Sequence, residues 1–221
     1  MMKKLLLITL LACAGIAHAE EREWITYKKF VESTRLDRYY ALPQSERDKL
    51  DFYLTVKPSN KALKASDMNL TVVHAGTRTA LPLDDKAHLR MAPNAQWLAA
   101  DAMIMTTQAK GEKISMAYNL DAVVPEGTEW PYAKLMSSVP QANAAIGKVA
   151  GAFSMFAPTI KSVALSFDKP AQLTIQSRSG TKQFLSDAKN TIRLTPDATL
   201  LKENPLIVVT ARPLRADLDT E

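Results

Sequence analysis

Apolar and polar residues alternate two apart along much of the chain, the spacing that sends successive side chains to opposite faces of a pleated strand. Leu50, Phe52, Leu54 and Val56 alternate ahead of Lys57-Pro58, and Ile114, Met116, Tyr118 and Leu120 do so later. The same period recurs at Leu70/Val72, Leu89/Met91, Val163/Leu165/Phe167, Leu173/Ile175 and Ile192/Leu194. Two further runs, 103–107 and 206–210, are apolar at consecutive positions and read as strands buried on both faces. Helical spacing occurs in two places. Trp24, Tyr27, Val31 and the Leu36/Tyr39/Tyr40 group predict one amphipathic helix that ends before Pro43. Segments 131–139 and 140–156 each open on proline, the residue tolerated at a first helical position. In the second segment Ala142, Ala145, Ile146, Val149, Phe153 and Phe156 predict a single buried stripe.

Laying residues 89–98 over 192–201 aligns Leu-Arg-Met-Ala-Pro with Ile-Arg-Leu-Thr-Pro, and the register continues without a gap from Ile104 over Ile207 to Thr107 over Thr210. Upstream, Leu70-Thr71-Val72 falls on Leu173-Thr174-Ile175, and with one gap Gly76-Thr77 falls on Gly180-Thr181. Self-similarity of this kind sets architecture. The expected fold is mainly β within the α+β class: two related antiparallel β units forming a sandwich-like core, each a small meander, with an N-terminal helix and a helical connector. The expected segments are a leader at 1–19, a helical segment at 20–49, β unit 1 at 50–124, the connector at 125–160, β unit 2 at 161–214 and a disordered charged tail at 215–221.

The leader has the three parts of a secretory signal in order: Lys3-Lys4, an apolar run from Leu5 to Ile16, and Ala17-His18-Ala19 before Glu20. The run is shorter than the roughly 20 residues needed to span a bilayer. Cleavage between Ala19 and Glu20 predicts a periplasmic or secreted protein. The sole cysteine, Cys13, follows Leu10-Leu11-Ala12 in a pattern resembling the lipobox of bacterial lipoproteins. Lipidation at Cys13 would make an outer-membrane lipoprotein instead, and is the one route by which a membrane is expected as partner.

Composition narrows the chemistry. Without its leader the chain has no cysteine, so disulfide and Cys-metal frameworks are excluded. Loss of Lys3 and Lys4 takes two charges from a formal net charge of +5, and with no basic cluster nucleic acid is not an expected partner. His74 and His88 beside Asp84-Asp85 are too few for a metal set, and read as a part-buried side chain and a solvated loop. Ser179-x-x-Lys182 fits the pattern of penicillin-recognising enzymes but sits in a hairpin turn where that pattern should open a helix. Seven glycines form no phosphate loop. Gly147 and Gly151 suit close packing of the connector helix on the β layer. Trp97 aligns with Leu200 and reads as core, whereas Trp130 and Tyr132 flank Pro131 in a turn-rich segment and are the expected ligand or partner surface. Arg90 and Arg193 point away from the apolar faces of their strands, with equivalent charge partners as the sharper expectation.

The lysine-led leader, the opening helix and Gly151-Ala152-Phe153-Ser154-Met155-Phe156 running into the strand 162–167 resemble an uncharacterised family of proteobacterial periplasmic proteins of unknown function. The resemblance implies an envelope location and no activity. No catalytic, cofactor or metal residue is assigned. A non-catalytic binding or assembly module, partnered by an envelope protein or cell-wall component, is the leading expectation. A hydrolase of cell-wall or carbohydrate material, working through carboxylates that spacing does not single out, is the alternative.

Overall fold

The computed structural model describes residues 20–100 and 102–221, so Cys13 and Ala19 lie outside the described residues, while Glu20 is described and exposed. Among the described residues fourteen strands and six α-helices follow one another. The first half runs β1 (Arg22–Thr26), α1 (Tyr27–Ser33), α2 (Leu36–Tyr40), β2 (Leu50–Pro58), β3 (Thr71–His74), β4 (Thr77–Ala80), β5 (His88–Leu89), α3 (Ala95–Ala99), β6 (Met103–Thr106) and β7 (Ile114–Ala122). The second runs β8 (Glu129–Pro131), α4 (Tyr132–Met136), α5 (Ser138–Ala150), β9 (Ser162–Ser166), β10 (Gln172–Ser177), β11 (Gly180–Leu185), β12 (Thr191–Leu194), α6 (Ala198–Glu203), β13 (Leu206–Val209) and β14 (Arg215–Asp219). The fold is mainly antiparallel β with a minority of helix.

Three sheets result, in the orders β1-β6-β3-β4, β8-β13-β10-β11 and β5-β2-β7-β14-β9-β12. The two outer sheets have the same strand order, and the central sheet reads the same from either edge. Its halves meet where β14 pairs antiparallel with β7, Asp217 opposite Asp121.

Hydrogen bonds outside the ladders agree in detail between the halves. The Tyr27 N–H donates to the Ala102 carbonyl and the Tyr132 N–H to the Pro205 carbonyl, each at 2.7 Å. The phenol oxygen of Tyr27 accepts from the Asn94 N–H and that of Tyr132 from the Asp197 N–H, each at 3.0 Å. Asn94 and Asp197 then cap α3 and α6, their side-chain oxygens accepting from the next two free N–H groups. The turns before β5 and β12 are closed by Asp84 and Asp187 and pass through left-handed residues, Ala87 at φ 64° and Asn190 at φ 57°.

Each half has its own apolar core. Tyr27, Phe30, Leu54, Met68, Val72, Leu89 and Ile104 fill the first. Tyr132, Leu135, Leu165, Leu173, Ile175, Ile192 and Ile207 fill the second, into which Tyr39, Leu50 and Ala122 reach from the first half. Burial of these side chains, roughly 1.5–3 kcal/mol each, is the main stabilising term.

Several expectations are corrected. The segment 20–49 opens with strand β1 rather than helix, because Thr26 caps α1 by accepting from the Lys29 N–H. Arg35, left-handed at φ 56°, then divides the single predicted helix into α1 and α2. Each half is divided between an outer sheet and the central one, not closed as a meander. Strands β6 and β13 bury one face, since Ile104 and Thr106, and Ile207 and Val209, are inside while Leu206 is exposed.

The supposed tail is β14, bonded to β9 over its whole length. Its charged residues hid the alternation of buried Ala216 with partly buried Leu218. The connector stripe also breaks. α5 ends at Gly151, whose φ of 59° turns the chain into a 3-10 segment, Gly151–Phe156. Phe153 and Phe156, out of helical phase, are 65% and 79% exposed.

Candidate functional site

The two faces of the central sheet carry different chemistry. On one, Asp51 of β2 stands opposite Asp121 of β7, and Asp121 opposite Asp217 of β14, so three carboxylates lie side by side on neighbouring strands. Their charges are compensated unequally. Arg90 forms a two-pronged pair with Asp51, Nε–Oδ1 and Nη2–Oδ2 both 3.0 Å, and reaches Asp84 at 3.1 Å. Its guanidinium also sits 4.3 Å from the centre of the Tyr53 ring. Arg215 holds Asp217 at 2.6 Å.

Asp121 is 8% exposed, and its direct contact is the Tyr53 hydroxyl, which donates to Oδ2 at 3.0 Å. Burial pushes the Asp121 carboxyl up to about 6, with the charges of Asp217 and Asp51 acting in the same direction against the Tyr53 hydrogen bond and Arg215. Burial, and then Asp121 itself, pushes the Tyr53 phenol up to about 12. His88 packs 4.3 Å from the Tyr53 ring and faces Asp84 at 3.4 Å; burial lowers its basicity more than Asp84 restores it. These groups line a cleft of about 750 Å3, to which Arg212 and Leu214 also contribute.

On the opposite face Phe52, Leu120 and Leu218 form the floor of an apolar groove of about 650 Å3. Its wall is α5, through Ala145, Ile146, Val149 and Ala150, and Phe153 and Ile160 continue that wall beyond Gly151. α5 is fixed over the sheet at several points. The Gln141 side chain accepts from the Lys49 N–H at 2.9 Å, Asn143 bonds both the N–H and the carbonyl of Ile160, and Arg38 donates to the Val149 carbonyl at 3.3 Å. Tyr118 and Phe153 of the lining are 58% and 65% exposed, and Met155 and Phe156, which follow Phe153 in the chain, are each 79% exposed. Large apolar side chains left exposed in a folded protein point to an interaction surface.

Sequence-derived candidates are placed as follows. Trp130 and Tyr132 are 2% and 1% exposed and belong to the second core, so the expected aromatic surface is corrected. Trp130 is held inside because β8 is a sheet edge paired to β13, with Trp130 opposite Ile207, and Tyr132 because its hydroxyl anchors the turn before α6. Trp97 packs partly buried against the first core, edge-on to Tyr27. His88 and Asp84 come together in the cleft, while His74 is on another sheet. Among the described residues no three or more His, Asp or Glu converge to hold a metal ion.

Ser179 contacts Ser177 at 2.9 Å while Lys182 points to Asp197 at 3.9 Å, so the Ser-x-x-Lys pattern is not assembled. Gly147 lies within α5 and Gly151 terminates it. Arg193 lies within β12 and bonds Ser162 at 3.0 Å and Asp219 at 2.7 Å, whereas Arg90 directly follows β5 and pairs with Asp51 and Asp84, so the expected equivalence of their charge partners is corrected. Asp121 and the groove floor were not singled out by sequence. Alternation places each residue on a face, but only pairing of β7 with β2 and β14 brings Asp121 beside Asp51 and Asp217 on one face and Leu120 beside Phe52 and Leu218 on the other.

A family match covers most of this architecture. The chain belongs to the DUF2987 family, described as a protein of unknown function. The DUF2987 match spans residues 21–167, from β1 to the residue after β9. All the groove lining except Leu218 and Thr220 falls within it, as do Asp51, Tyr53, Arg90 and Asp121 of the cleft. No curated protein and no solved structure matches the chain. Among the described residues no helix is long and apolar enough to cross a membrane.

Proposed function

We propose that this DUF2987 protein is an exported, non-catalytic binding module of the bacterial envelope, built by duplication of one β-α unit, that holds an apolar chain in the groove between α5 and the central sheet. The observation that carries the reading is the groove itself. Its lining is almost wholly apolar and its volume lies within the roughly 300–1,000 Å3 typical of small-molecule sites. It occupies the junction of the two halves, where duplication creates a surface that neither unit has alone. The lysine-led leader ahead of Glu20 supports export, and the matched hydrogen bonds of Tyr27 and Tyr132 support duplication.

Titration of the chain beginning at Glu20 with the fluorescent probe N-phenyl-1-naphthylamine tests the reading. One saturable site is expected, and Val149→Trp, which fills the groove from its helical wall, is expected to abolish it. Non-saturable binding, or full binding by the variant, would overturn it.

One observation favours hydrolysis as a second reading: a buried carboxyl whose proton is retained to about pH 6 has the property of a general acid. Its neighbours argue against it, because Asp51 and Asp217 are each engaged by an arginine. Turnover of peptidoglycan or an oligosaccharide that disappears in Asp121→Asn would favour the hydrolase.

A further inference from the structure

The charge around the groove selects a class of ligand. Among the described residues Arg35 is the only charged side chain in its lining. Among the described residues Arg35 takes part in no ion pair, whereas Arg90, Arg193, Arg215 and Lys148 each hold a carboxylate. Arg38, three residues further on, donates to the carbonyl of the lining residue Val149 and lies close to Gly151. Among the described residues the mostly apolar lining therefore carries one positive charge and no carboxylate. An apolar tail with a cationic or neutral head would leave that guanidinium without a partner, while an anionic head supplies one.

We propose, resting on the binding-module reading above, that the groove takes a single-chain amphiphile with a carboxylate head, of the fatty-acid type. Its tail lies along Phe52, Leu120 and Leu218 beneath α5, and its head meets the Arg35 guanidinium. Phe153, which both lines the groove and is 65% exposed, is covered by the bound tail. The occupant is a single molecule rather than a bilayer, because the apolar floor is recessed between α5 and the sheet and is reached by a chain entering the trough.

Calorimetric titration of the chain from Glu20 with dodecanoate, dodecanol and dodecyltrimethylammonium, each below its micelle concentration, tests the proposal. Dodecanoate is expected to bind one per chain about tenfold more tightly than dodecanol, the effect of one charge-assisted contact in a partly desolvated site, with the cation weakest. Arg35→Asn, a residue that tolerates the left-handed backbone found there, is expected to bring dodecanoate to the affinity of dodecanol without altering the alcohol. Equal affinity of acid and alcohol for the unaltered protein would overturn the carboxylate assignment while leaving the apolar groove as a binding site. Failure of all three to bind would overturn both. Binding only to anionic lipid vesicles would overturn the proposal in favour of a membrane surface. The comparison of ligands on the unaltered protein decides the matter even where the variant fails to fold.

Discussion

Replacing Asp121 by asparagine should make the protein more stable at neutral and alkaline pH, and the gain should vanish in acid. In the folded chain the carboxyl is buried between Asp51 and Asp217 and is pushed up to about 6, above its ordinary value of 3.8. The folded state thus holds the proton more tightly than the unfolded one. Protonation of Asp121 contributes stability that is complete below about pH 4, and is lost as the pH rises through about 6. Without screening, two pH units correspond to about 3 kcal/mol. The cleft admits solvent and Arg215 lies nearby, which reduces the expected cost of the ionised form to the order of 1–2 kcal/mol. Asparagine cannot ionise, and its carbonyl can still accept from the Tyr53 hydroxyl.

Urea unfolding of both proteins at about pH 4.5 and about pH 8 gives the difference directly. The variant should be more stable by that amount at the higher pH and nearly equal at the lower. A difference that does not change with pH would refute the reasoning, as would a variant less stable at the higher pH, since ionised Asp121 would then be a net attraction to Arg215.

Tyr132→Phe should cost about 1–2 kcal/mol in the same unfolding assay, because it leaves the Asp197 N–H without its acceptor at the start of α6. Tyr27→Phe should cost a similar amount through Asn94, and a null result for both would show that these phenols only fill space. Intact-mass measurement on the exported protein should find an unmodified N-terminus at Glu20. A diacylated Cys13 as the first residue would instead establish the lipid-anchored form.

Much of the fold was legible because the information was local. Leu50 to Val56 and Val163 to Phe167 alternate at period two, which fixes strand and face without knowledge of neighbours. Alternation at Leu173/Ile175 likewise marked β10 from order along the chain. Where the reading failed, a neighbour decided. Trp130 and Tyr132 looked like exposed loop aromatics because nothing near them in sequence predicts that β8 pairs with β13 and drives both rings into a core. Arg215 to Glu221 looked like a solvated tail because alternating charges suit one polar face, and only β9 and β7 on either side make it a strand. Gly151 diverted Phe153 and Phe156 from the stripe that helical spacing assigned them, through one left-handed backbone angle.

The candidate sites belong wholly to this second category. By itself the sequence determined that the chain is β-rich, carries a leader-like segment ending at Ala19, and contains two stretches with one pattern of apolar residues and turns. Tertiary structure alone decided that Asp51, Asp121 and Asp217 share a face and that Phe52, Val149 and Leu218 form one groove. The reason is physical. Hydrophobic periodicity specifies which side of an element seeks cover, but the partner providing it comes from strand pairing across long loops. Both the burial that shifts the Asp121 proton and the apolar floor of the groove are products of that pairing.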